Sequence, residues 1–161
     1  MNLVKTFLTW TIILGFLAFA GWQAYMFITK SSQPHTTVTV RGDTYNVGLA
    51  ITKAEREKGL SGTKSLAKDE GLLFVFPKED KWGIWMKDME ISIDIIWLDD
   101  EKNAIYLVKH AEPSSYPYST YQPTSPAKYV LELPAGTIEA RGYSVGTKVT
   151  FELPDIQEGA E

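Results

Sequence analysis

The 161 residues, 44% of them hydrophobic and 22% charged with a formal net charge of -4, are enough for one ordinary domain and little else. The acidic balance argues against general nucleic-acid binding, which needs clustered cations to displace phosphate counterions. The absence of cysteine excludes disulfides, thiolate metal ligands and a cysteine nucleophile together.

From Thr6 to Thr29 the chain carries no charge, and Lys5 and Lys30 flank the run. As a helix it would reach ~36 Å, more than the roughly 30 Å of bilayer hydrocarbon. The expectation is an N-terminal membrane anchor over residues 1–30 that crosses through residues 6–29, with Trp10, Trp22 and Tyr25 as interfacial aromatics. The competing reading is a cleaved signal peptide ending at the small-x-small stretch Ala18-Phe19-Ala20. The apolar character continues through Trp22, Tyr25, Met26, Phe27 and Ile28, which favours the uncleaved anchor. Both readings export the rest of the chain, and with the anchor uncleaved the expected location is the cell membrane, single-pass, with the C-terminal domain outside the cytoplasm.

Residues 31–36 read as a polar linker, and the domain is expected over residues 37–153. Thr37 to Val40 and Thr44 to Ala50 form β-prone runs around Arg41-Gly42-Asp43, which reads as a hairpin turn and not as an adhesion motif. Thr52 and Glu55 have capping-box spacing ahead of a short helix that Gly59 ends. Strands are then predicted over Gly71 to Phe76, Trp82 to Lys87, Ile91 to Leu98 and Ala104 to His110. Between them lie the turns 77–80 and 99–103, and the acidic residues of the second lack the spaced ligands and glycine of a calcium loop.

Glu112 to Ala127 holds Pro113, Pro117, Pro123 and Pro126, so neither a helix nor a central strand runs through it. Strands at Tyr129 to Leu133 and Lys148 to Leu153 close the domain, and residues 154–161 form an acidic tail. The predicted fold class is mainly β (α+β): a compact β barrel or sandwich with one short helix, preceded by the N-terminal transmembrane helix.

Six segments then occur in order: Gly59-Leu60-Ser61-Gly62, Glu70 to Phe76, Ile84 to Lys87, Ile93 to Asp99, Val130 to Gly136, and Val145-Gly146. Together they resemble the family known as domain of unknown function 192, over about residues 37 to 153. The resemblance implies a compact, mostly β domain with one short helix, commonly carried behind a signal or anchor, and it implies no established activity. Where the family often has arginine after Gly-Leu-Ser-Gly, this chain has Thr63 and Lys64.

Two acidic residues fall in apolar strands. Alternation places Asp94 with Ser92, Ile96 and Leu98, and an unpaired carboxylate there is costly, so a cation from Lys87, Lys64 or Arg141 is expected beside it. Glu132 faces away from Tyr129, Leu131 and Leu133. Convergence of Asp94 with Glu132 would place two carboxylates for acid-base hydrolysis of a glycosidic bond, with Lys87 tuning one of them, and this is the alternative reading: an envelope hydrolase.

The two histidines, His35 and His110, form no metal constellation, no nucleophile elbow or phosphate loop is present, and no cofactor or metal is expected. The remaining signal is aromatic. Trp82 and Trp85 with Tyr116, Tyr118 and Tyr121 either present a stacking surface for a sugar ring or a peptide, or fill the core and staple the loop to it. The proline-rich loop is expected to border the main concave surface, with Trp85 or Lys87 on the opposite wall. The sequence thus points to an anchored envelope module that binds an unidentified envelope protein or a small ligand. Its candidate binding residues are Trp85, Lys87, Asp94, Tyr116, Tyr118 and Tyr121, with Asp94 and Glu132 as candidate catalytic residues.

Overall fold

The computed structural model describes residues 33–155, together with Gly15, Phe16, Ala18, Phe19 and Gly21. The chain divides into two units, residues 1–32 and 33–161. Apart from those five helical residues, the expected membrane span lies outside the described residues. Among the described residues no helix is long and apolar enough to cross a membrane.

The second unit is built on one seven-stranded sheet. Its strands are β1 (His35–Val40), β2 (Asp43–Ala50), β3 (Glu70–Asp80), β5 (Ile93–Leu98), β6 (Ala104–Ala111), β8 (Ala127–Pro134) and β9 (Val149–Thr150), in the spatial order β6-β5-β8-β3-β2-β1-β9. A separate ribbon pairs β4 (Ile84–Trp85) with β7 (Thr120–Tyr121). Two short helices, α1 (Lys53–Lys58) and α2 (Thr137–Arg141), complete the unit with a 3-10 turn at Pro113–Ser115.

β1 and β2 form the hairpin expected around Arg41-Gly42-Asp43. β2 and β3 run parallel, so the chain must cross over between them, and α1 lies in that crossover. Thr52 caps α1: its hydroxyl accepts from the Glu55 amide while the Glu55 carboxylate accepts from the Thr52 amide. Every other strand pair is antiparallel. The sheet curls into a half-barrel, and an isolated bridge between Asn103 and Lys148 brings its two ends together.

Curling gives the sheet two apolar faces. The inner face buries Val38, Val47, Leu49, Leu73, Ile96, Leu98, Leu131 and Leu133, with Ile138 of α2 packed on it. The outer face, over β3, β5 and β8, buries Leu72, Phe74, Phe76, Ile93, Ile95, Trp97 and Val130 beneath Ile84 and Met86. All six residues of β5 are buried for this reason, and its sequence is a nearly unbroken apolar run. The close pairing of β3 with β8 requires Gly71, where an added Cβ would lie 2.5 Å from the carbonyl oxygen of Glu132.

The structure differs from the sequence expectation in several elements. The closing strand predicted over Lys148 to Leu153 is reduced to β9, Val149–Thr150. β3 continues through Pro77 to Asp80, because Asp80 pairs with Ala127 beyond an irregularity in the ladder. The strand predicted over Trp82 to Lys87 has only two ladder residues, since its partner β7 is hemmed in by prolines. A second helix, α2, occurs where one was expected in all, entered through Gly136 in the left-handed region at φ 87°.

Candidate functional site

Asp94 and Glu132 do not converge. β5 and β8 are neighbours, with Asp94 opposite Leu133 and Ile95 opposite Glu132. Leu133 belongs to the inner core and Ile95 to the outer one, so the two carboxyl groups lie on opposite faces of the sheet. A dyad for glycosidic hydrolysis is therefore not formed.

Asp94 is fully buried, and the expected cation is not its partner. One carboxylate oxygen accepts from the His110 amide at 2.8 Å and the other from the Ile138 amide at 2.8 Å. The first amide lies where the β5–β6 ladder shifts register and His110 turns to φ 50°, and the second belongs to the first turn of α2. Both are donors that the local backbone leaves unused, which is the physical reason an acid sits in this apolar row. Arg141 instead pairs with Asp43 at 3.0 Å, and Lys64 and Lys87 are exposed.

Glu132 is in the contrary situation. It is buried on the outer face, and its Oε2 has no hydrogen-bond partner. Burial pushes its carboxyl well above the ordinary glutamate range, to about 8, so the group is mainly neutral at pH 7. It lines a cavity of about 410 Å³ between α1, the following turn, β4 and the outer face of the sheet. That volume lies within the range of small-molecule sites.

The walls of the cavity are largely apolar. Phe74 and Phe76 stack at 6.2 Å, Phe76 and Trp82 stack at 4.3 Å with nearly parallel planes, and Ile84, Leu60 and Met89 add to the lining. Trp85, about half exposed, also lines the space. The Arg56 guanidinium lies over the Phe76 ring at 5.4 Å, and it donates to the Ile51 and Val75 carbonyls, fastening α1 to the sheet. Ser61 donates to the Lys87 carbonyl and the Gly62 amide to that of Asp88, which fixes the turn after α1 against the segment following β4.

Of the residues singled out in the sequence, the cavity gathers Glu132, Trp82 and Trp85. Lys87 and the three loop tyrosines do not line it. Tyr118 is 88% exposed, Tyr116 is exposed, and Tyr121 is half-buried against the outer core. The proline-rich loop reaches the site only through β7, whose Thr120 pairs with Trp85. Among the described residues no group of three or more acidic or histidine side chains gathers as a metal site.

Sequence reasoning passed over α1 and Leu60 as site residues. The signal was present in Gly59-Leu60-Ser61, because a leucine just past a helix-ending glycine must find an apolar surface.

A family described as uncharacterised ACR, DUF192, matches residues 36–151. A UPF0127 protein of Thermococcus sibiricus is 32% identical over 114 residues, 70% of each chain. A second UPF0127 protein, from Thermococcus gammatolerans, is 28% identical over 115 residues, 70% of this chain and 71% of its own. Among solved structures, a Novosphingobium aromaticivorans protein of unknown function superposes with a TM-score of 0.70 at 28% identity, covering 76% of this chain and 89% of that one. A Sinorhizobium meliloti protein, described as a suggested transcription regulator, superposes with a TM-score of 0.71 at 28% identity over 76% of this chain and 97% of that one. With its family match running over residues 36–151, well over half of the chain, the chain belongs to the DUF192 family.

Proposed function

We propose that this protein is a ligand-binding module of the cell envelope, tethered by residues 6–29, and that the cavity over Glu132 is its binding seat. The observation that carries the reading is an apolar cavity lined by Glu132, a residue whose buried Oε2 no protein group satisfies. A neutralised, unpartnered acid lowers stability, and such groups concentrate at functional sites. Apolar walls supply affinity, and one polar group at depth supplies orientation.

The acid works alone in this reading. The module captures its ligand without covalent chemistry, since Asp94 is spent on two backbone amides across the sheet. The envelope placement rests on the uncharged run between Lys5 and Lys30.

The test uses the full-length chain in lipid nanodiscs, screened against small amphipathic molecules by following the indole NMR signals. Ligands should perturb Trp82 and Trp85, which line the cavity, before Trp97, which lies beneath it. Narrowing the cavity with Leu60→Phe, a substitution in the turn that lines it, should abolish the response; saturable binding that persists in this variant places the seat elsewhere and refutes the reading.

A further inference from the structure

The cavity is polarised along its depth. Glu132 is 3% exposed and belongs to the floor, whereas Lys53, Glu57 and Lys58 are exposed side chains of α1 and belong to the mouth. Lys53 lies 3.9 Å from Glu57 and Arg56 interacts with the neighbouring Glu55, but the mouth still sets the three cations Lys53, Arg56 and Lys58 against the single carboxylate of Glu57 and is positive on balance. Between mouth and floor stand the near-parallel rings of Phe74, Phe76 and Trp82.

We infer that the ligand is a flat, ring-bearing organic anion that enters with a neutral hydrogen-bond acceptor foremost, seats that acceptor on the Glu132 carboxyl, and leaves its anionic group at the mouth beside Lys53, Arg56 and Lys58. This inference deepens the binding reading proposed above and rests on it. A protonated carboxyl is a donor, so a carbonyl or ether oxygen completes it without bringing a second charge into the apolar floor. An ammonium group at the same place would first have to remove the proton from Glu132, and would have to pass a mouth of the same sign. Phe76 is already stacked on Trp82 and covered by Arg56, so a flat ligand ring extends this existing aromatic stack by offset or edge contact with the rings that line the cavity.

The pH dependence has a determined sign. With a folded carboxyl titrating at about 8, the donor is present below that pH and is replaced by a buried negative charge above it. Affinity for the anionic acceptor must therefore fall as pH rises through 8, whereas affinity for an ammonium ligand would rise. The charged groups facing the cavity, Lys53, Arg56, Glu57 and Lys58, are on α1, so their contribution can be separated from that of Glu132.

Three probes test this on the full-length chain in zwitterionic nanodiscs. They are 4-acetylbenzoate, 4-isopropylbenzoate, which lacks the acceptor, and 4-acetylbenzylamine, which carries a cation in place of the carboxylate. At pH 6.5 the first should bind roughly tenfold more tightly than the second, the worth of one buried hydrogen bond. Its affinity should drop about tenfold or more between pH 7 and 9.5, and Glu132→Gln, which keeps a donor, should bind it with no such drop. A preference for the amine, or affinity that climbs with pH, overturns the inference and leaves the binding reading standing. Equal binding of the two benzoates at pH 6.5 does the same. If none of the three binds at millimolar concentration, both fall.

Discussion

At the scale of single residues, the two buried acids show how the same chemical group takes opposite roles. Asp94 receives two amide hydrogens and is fully used, while Glu132 receives none and is neutralised by its surroundings. The second case leaves a thermodynamic signature. A carboxyl whose folded pKa is raised binds its proton more tightly in the native state, so its contribution is complete below the unfolded value near 4.5 and is lost as pH rises to about 8. The expected outcome is a stability that declines by roughly 3 to 5 kcal/mol across that window through this one group. Urea denaturation at a series of pH values checks it: Glu132→Gln should flatten the decline, and an unchanged slope in that variant would show that Glu132 is not the group responsible.

At the scale of elements, Asp94 is a pin rather than an ion-pair partner. It joins three elements, because it sits on β5, holds the irregular end of β6 through His110, and starts α2 through Ile138. Its removal would strand the buried Ile138 amide and the partly buried His110 amide and forfeit two charge-assisted hydrogen bonds, at a cost of roughly 3 to 5 kcal/mol in Asp94→Ala. Amide exchange at His110 and Ile138 should accelerate more than at β1 or β2, whereas Arg141→Gln should leave those two amides protected. The sequence showed that Asp94 needed partners, because an acid in an apolar strand always does. It did not show which, since backbone amides have no side-chain signature. The alternation of Trp82 to Lys87 was legible in the same way: Ile84 and Met86 are buried while Trp85 and Lys87 are exposed, although the ladder contains only Ile84 and Trp85.

At the scale of the whole molecule, the described half-barrel is one part of a chain whose first thirty residues carry only two charges, Lys5 and Lys30. The full-length protein should stay in the membrane fraction through high-salt and carbonate washes; a mature species beginning at Gly21, found by N-terminal sequencing, would replace the anchor with a cleaved signal. The sequence by itself determined the mainly β class, the first hairpin, the capped helix α1, the family, and the face on which each acid stands along its own strand. All of these follow from interactions between residues a few positions apart, where periodicity and turn chemistry act. The tertiary structure alone decided that β5 lies beside β8 in the register that sends Asp94 and Glu132 to opposite sides. It also decided that α1 crosses over the outer face, leaving a cavity above one acid and none of the loop tyrosines along it. Those outcomes depend on which distant apolar faces bury one another, a collective balance of packing over the whole sheet that no local stretch of sequence encodes.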